Sequence, residues 1–210
     1  MLDELLQLFD VFHAFSPVPA SEVNQHRKRD PSVRVIPTKW VWVTKYLASG
    51  EFNRIKARLV ACEAVGRFMV DGKWSPTIGM DTVRLIFIIA AIHQCELLSL
   101  DVSGAYLRGT RRSSSATVYL RLPPDLDNLP HAHTDARFRY RTSSGEPVFW
   151  RCDANLYGLK DAGAVWWALA CDWLLSLGFT QSTVDPCIFS LWRPAPHHDF
   201  CLIGLFVDDS

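Results

Sequence analysis

The sequence predicts an α+β fold of one large or two small domains, and three observations carry that reading. Strand-like runs rich in aromatic and β-branched residues lie on either side of Ser49-Gly50. Two stretches, 82–94 and 161–177, are dense in apolar residues over helical lengths. Strands and helices are mixed without strict β–α–β alternation. At 210 residues, 49% of them hydrophobic and 21% charged, the chain has enough apolar material for a real core and is not disordered.

Residues 1–16 place Leu2, Leu5, Leu6, Phe9 and Phe12 near helical spacing. Residues 17–33 contain Pro17, Pro19, Pro31 and the run His26-Arg27-Lys28-Arg29, and read as a linker. Residues 1–34 are therefore set apart as an N-terminal helix and basic linker. From Val35 the texture changes. Lys39 to Lys45 and Ile55 to Ala61 read as two strands of a hairpin, with Lys56 and Arg58 on one face by the period of two.

Asp81 or Thr82 can cap a helix running to about Gln94, apolar almost all round and so expected to be largely buried. Glu96 to Val102 reads as a short strand ending at Asp101. Residues 111–117 are a serine-rich loop before a strand over 117–122, and residues 125–147 are loop-rich. Asp161 can cap a helix that Gly178 stops. Cys187 to Trp192 and Phe200 to Val207 complete the pattern as two strands.

Formal net charge is zero, but the charge is unevenly spread. Residues 26–60 hold nine Lys/Arg against Asp30 and Glu51, whereas 152–210 hold seven Asp against Lys160 and Arg193. A basic region and an acidic one suit an enzyme that grips phosphate with one and metal with the other, and a solvated charged face is the simpler account. Six cysteines form no C-x-x-C pair, and Cys62, Cys171 and Cys201 read as small buried hydrophobes. Asp3 and Glu4 stand where a signal peptide would be positive, and the apolar run Leu85 to Ile92 is too short to span a bilayer. The expected location is intracellular, in cytoplasm, nucleus or a virus-like particle.

Two apolar runs deliver carboxylates near strand ends, at Leu100-Asp101-Val102 and Phe206-Val207-Asp208-Asp209. Divalent ions such as Mg²⁺ take hard oxygen ligands, so converging carboxylates suit a metal site. The order of short blocks is more telling than any one of them. Lys39-Trp40-Val41, Lys56-Ala57-Arg58-Leu59-Val60-Ala61, Ser75-Pro76, Leu100-Asp101-Val102, Leu156-Tyr157-Gly158-Leu159-Lys160, Leu177-Gly178-Phe179, Asp185-Pro186 and Phe206-Val207-Asp208-Asp209 follow in series. From about Val35 onward, this series resembles the reverse transcriptase domain of copia-type retrotransposon polyproteins.

The resemblance implies a right-hand polymerase, with residues 35–210 forming fingers and part of a palm whose mixed, mainly antiparallel sheet packs on helices. It implies RNA-directed DNA synthesis, with an RNA or DNA template, a primer and deoxynucleoside triphosphates (dNTPs) as partners. Asp101, Asp208 and Asp209 match the catalytic, metal-holding aspartates for two Mg²⁺ ions, with Mn²⁺ as a substitute. Tyr106 matches the aromatic beside the incoming sugar. Lys56 and Arg58 match fingers cations that meet triphosphate or template. Tyr157, Gly158 and Lys160 match the segment against the template–nucleotide pair.

Several residues depart from the family pattern. Asp161-Ala162-Gly163-Ala164 replaces the usual Gln-Ala-Pro-Arg, and Cys62 stands where a cation often follows Val60-Ala61. No residue follows Ser210. The expectation is a C-terminally truncated domain without thumb, RNase H or integrase segments, and with weak or no activity alone. A second reading is a non-catalytic remnant that binds nucleic acid through residues 26–60. A third, much weaker, is a metal site or hydrolase built on His131, His133, His197 and His198.

Overall fold

The computed structural model describes residues 1–63, 76–109, 116–129, 135–193 and 199–206. In chain order the elements are α1 (Leu2–Leu6), continued by a π-helical turn (Gln7–Val11), β1 (Phe15–Pro19), α2 (Ala20–Arg29), β2 (Arg34–Ile36), β3 (Thr38–Tyr46) and β4 (Phe52–Ala61). Then come α3 (Met80–His93), α4 (Ala105–Arg108), β5 (Val118–Arg121), β6 (Val148–Cys152), α5 (Ala162–Ser176), β7 (Thr180–Gln181), β8 (Ile188–Trp192) and β9 (Phe200–Gly204). Helices and mixed sheets interleave, as the α+β reading requires. The chain divides into two compact units, one drawn from 1–69 and 106–162 and the other from 70–105 and 163–210.

The first unit is built on a four-stranded sheet in the order β1-β6-β5-β2. β6 is antiparallel to β1 and to β5, while β2 runs parallel to β5. Its core is aromatic: Phe9 meets Phe15, Phe138 and Trp150 edge-on at 5.2–5.7 Å, and Phe15 stacks on Trp150. Trp150 is fully buried, and its indole N–H donates to the Arg137 carbonyl at 2.9 Å, so the one polar atom brought inside is paired. Residues 17–33 are not a linker. They carry the end of β1 and the whole of α2, because Pro17 and Pro19 are tolerated on an edge strand.

β3 and β4 form a separate two-stranded ribbon through a turn with Gly50 at φ +86°. Directly paired residues share a face, and two unlike faces result. Trp40, Trp42, Ala57 and Leu59 lie on one side; Lys39, Lys45, Arg54, Lys56 and Arg58 lie on the other. Leu59 and Ala57 are buried, whereas Trp42, Tyr46, Phe52 and Ile55 toward the turn are exposed.

The second unit contains the antiparallel sheet β7-β8-β9 with a helix on each face. Phe189, paired with Ile203, packs with Cys171 and Leu174 of α5. On the opposite face, beside Ile188, Gly204 leaves room that Ile78 and Ile86 fill; a Cβ there would lie 2.6 Å from the Ile78 terminal methyl. α3 is not largely buried. Leu85, Phe87, Ile88 and Ile92 are exposed, because a helix apolar all round is covered only where another element lies against it. Cys171 and Cys187 are buried, but Cys62 is only half-buried and Cys201 is exposed on β9, contrary to the reading of those two as buried.

No side chain caps the first-turn N–H groups of α3, neither Asp81 nor Thr82; Asp185 instead tethers the start of the helix from far along the chain. Thr82 donates its hydroxyl to Asp185 Oδ2 at 2.7 Å, and the Gly79 N–H donates to the same oxygen at 3.4 Å. The Thr82 bond above all, with further help from the Cys187 and Gly79 amides, holds the Asp185 carboxyl below its ordinary range. A depressed carboxylate stabilises the fold above its unfolded pKa, and that contribution fades as pH falls through the lower, folded value. Asp185→Ala should therefore cost about 1 kcal/mol at neutral pH, the usual net worth of an intramolecular hydrogen bond. In denaturant titrations the difference from wild type should close below about pH 4.

Candidate nucleotide and nucleic-acid site

The first unit brings most of the expected substrate residues together. Arg58 follows from β4, where alternation with buried Ala57 and Leu59 turns it to the cationic face of the ribbon. Its guanidinium carbon lies 5.4 Å from the centre of the Tyr157 ring, a cation–π contact. The Tyr106 ring, on α4, meets Tyr157 edge-on at 5.3 Å. Tyr157 thus sits between an arginine and a second tyrosine.

Gly158 explains how the turn comes so close to the strand. Its φ is +86°, and a Cβ would collide with the Ala61 carbonyl oxygen and lie 2.7 Å from Val60 Cγ1. Only glycine meets both demands. The Ala61 N–H donates to the Tyr157 carbonyl at 2.8 Å, and the Lys160 N–H donates to Glu63 Oε2 at 2.8 Å. Lys56 lies on the same ribbon face as Arg58, one alternation nearer the turn.

Two acidic residues in this neighbourhood were not singled out by sequence reasoning. Glu4 of α1 accepts from the Leu59 N–H at 3.3 Å. Burial raises its carboxyl above the ordinary value, against the pull of that amide and of Lys56 and Arg58. Glu63 pairs with Arg34, and both side chains are largely buried. An acid two residues past a strand carries no motif, so spacing could not have found it.

Asp101 belongs to the second unit. It is exposed, and Glu96–Val102 forms no strand: Leu97, Leu98 and Leu100 are exposed too, and no sheet partner lies along this backbone among the described residues. An extended apolar run becomes a strand only when a neighbour takes its N–H and C=O groups. Asp208 and Asp209 lie outside the described residues, as do Ser75 and His131, His133, His197 and His198. Among the described residues no group of three or more His, Cys, Asp or Glu could hold a metal ion. Burial pushes the Cys171 and Cys187 thiols up to about 11, so neither is a ready nucleophile. No described helix is long and apolar enough to cross a membrane.

The family model described as "Reverse transcriptase (RNA-dependent DNA polymerase)" matches residues 23–210. The chain belongs to this family. Among curated proteins it is similar to the retrovirus-related Pol polyprotein from transposon RE2 of Arabidopsis thaliana, 30% identical over 165 residues and 78% of this chain. The corresponding polyprotein from transposon RE1 of the same plant is 29% identical over 77% of the chain. The polyprotein from transposon TNT 1-94 of Nicotiana tabacum is 26% identical over 84% of it. The match is thus to copia-type Pol polyproteins of plant transposons, and this reverse transcriptase chain spans only 10–12% of their lengths. No solved structure matches.

Proposed function

We propose that the chain is the polymerase domain of a copia-type retrotransposon, with residues 35–210 forming fingers and part of a palm. It would place a primed RNA or DNA template and a dNTP for nucleotidyl transfer. One observation carries this reading: Arg58, Tyr106, Tyr157 and Gly158, expected at the nucleotide site from separate motifs, converge in one unit. Family membership supports it too.

Each residue has a physical task in this reading. The Tyr157 ring braces one side of the Arg58 guanidinium, leaving its N–H edge for phosphate oxygens. Tyr106 sets a ring against the sugar, where hydrogen at C2′ is tolerated and oxygen clashes. Gly158 lets backbone approach the base pair, and the Lys160 side chain offers a point charge beside it. Lys39, Lys45, Arg54 and Lys56 continue the cationic face along the ribbon for the template backbone. Asp101, Asp208 and Asp209 would hold divalent ions, expected to be two Mg²⁺, which when bound would supply Lewis-acid activation of a primer 3′-hydroxyl and charge neutralisation for pyrophosphate.

Primer extension on an RNA template, run beside filter binding across a salt series, tests the proposal. Retention of primer–template should fall at least tenfold between about 50 and 200 mM salt. Any Mg²⁺- or Mn²⁺-dependent incorporation should disappear in Asp101→Asn. Incorporation by that variant at the wild-type rate would overturn the catalytic assignment. The second reading, a binding remnant, is favoured by the cationic face alone, which needs no aspartate. It predicts the same salt-sensitive binding with no incorporation even in Mn²⁺.

A further inference from the structure

The turn that carries Tyr157 is fastened at two points on either side of Gly158. One is the backbone bond from Ala61 to the Tyr157 carbonyl. The other is a side chain: Glu63 Oε2 takes the Lys160 N–H, while its Oε1 takes an N–H from Arg34 Nη1. Arg34 opens β2, and its own backbone N–H donates to Thr117 at 3.0 Å beside β5. Its second terminal nitrogen lies 3.5 Å from Asp161 Oδ2, one residue past Lys160. Glu63 therefore links the turn to the four-stranded sheet and not merely to the ribbon.

This linkage is a poor device for stability alone. The Glu63 side chain is 5% exposed and that of Arg34 11%, so both charges are taken out of water. Arg34 Nε is buried and has no hydrogen-bond partner. A buried pair with an orphaned donor returns little net free energy, and its advantage lies in fixing geometry. Here the geometry fixed is that of Tyr157 against Arg58 and Tyr106. Asp161 also opens the stretch that departs from the family pattern, and Glu63 directly follows Cys62, the other departure.

We propose that Arg34 and Glu63 are positioning residues, which set the Tyr157 ring beneath the Arg58 guanidinium by holding the Lys160 amide to the sheet. The proposal rests on the reading of this cluster as the nucleotide site. It has a clear dependence on chemistry: the Lys160 amide needs an acceptor, and the acceptor needs Arg34 to hold its other oxygen. Glu63→Gln keeps one acceptor oxygen but turns an amide N–H₂ against the Arg34 guanidinium, whereas Glu63→Ala removes both acceptors.

Amide hydrogen exchange on the full chain reads the fastening directly. In Glu63→Ala, exchange at Lys160 should rise about tenfold or more, while the β5 amides of Tyr119 and Leu120 stay at wild-type rates. Glu63→Gln, with one acceptor left, should rise less than Glu63→Ala without returning to the wild-type rate, and Arg34→Met should follow Glu63→Ala in direction. An unchanged rate at Lys160, or an equal rise throughout β5, would overturn the proposal. A second measurement uses dTTP binding to the chain on a dideoxy-terminated oligo(dT) primer with a poly(rA) template. Glu63→Ala should weaken dTTP about tenfold with primer–template affinity within about twofold, and Glu63→Gln should fall between it and wild type. Faster exchange with unaltered dTTP affinity would also overturn it. If the wild-type chain binds primer–template but no dTTP, the nucleotide reading fails and the positioning role with it, while the exchange result still reports the clamp by itself.

Discussion

Replacing Gly158 by alanine is expected to destabilise the first unit by about 3 kcal/mol or more, among the largest effects a single methyl can have in this chain. Two penalties combine. Alanine resists the left-handed backbone at φ +86°, which costs about 1–2 kcal/mol. The added carbon also meets the Ala61 carbonyl and the Val60 methyl, and the carbonyl, being backbone, cannot withdraw without disturbing the ribbon's pairing. Gly50 offers the matching control. It has the same φ, yet a Cβ there finds nothing within 4 Å, so Gly50→Ala should cost only the backbone penalty. Urea unfolding of the two variants beside wild type measures the difference. Equal losses at the two sites would show that the turn does not press on the strand.

Phe9→Ala should cost about 3–5 kcal/mol, as deletion of a buried aromatic ordinarily does. Phe9 is 6% exposed and touches three other rings, so the void it leaves has rigid walls that cannot close over it. Val11, two residues on and exposed, should tolerate alanine within about 0.5 kcal/mol. Thermal or urea unfolding monitored by circular dichroism would read both. A Phe9→Ala chain as stable as wild type would mean that the N-terminal segment is not part of the core.

Much of the architecture was legible because local chemistry and tertiary demand agree. The β3–β4 ribbon, the helix ending at Gln94 and the helix stopped by Gly178 follow from alternation, apolar density and left-handed caps. β1 and β6 were missed for opposite reasons. β1 contains two prolines, which argue against a strand unless it lies at an edge. β6 is a five-residue Val-Phe-Trp-Arg-Cys run behind a loop-rich stretch, too short for periodicity to stand out. Of the candidate site, Arg58, Tyr106, Tyr157 and Gly158 were nameable because each lies in a short motif. Glu63 and Arg34 were not, since a clamp between distant segments leaves no spacing. The strand expected at Glu96–Val102 failed because apolar content specifies an appetite for a neighbour but does not supply one.

The topology of the first unit has a price in time. Phe15 pairs with Cys152, and the strand between β1 and β5 is the one made last. At ordinary translation speeds of about 5–20 residues per second, β1 emerges roughly ten seconds before β6 exists to receive it. Through that interval Phe9 and Phe15 are oily residues without a home, beside a nascent ribbon that also lacks its sheet. Such a wait invites chaperones, and production of this protein should respond to them and to slower, cooler growth.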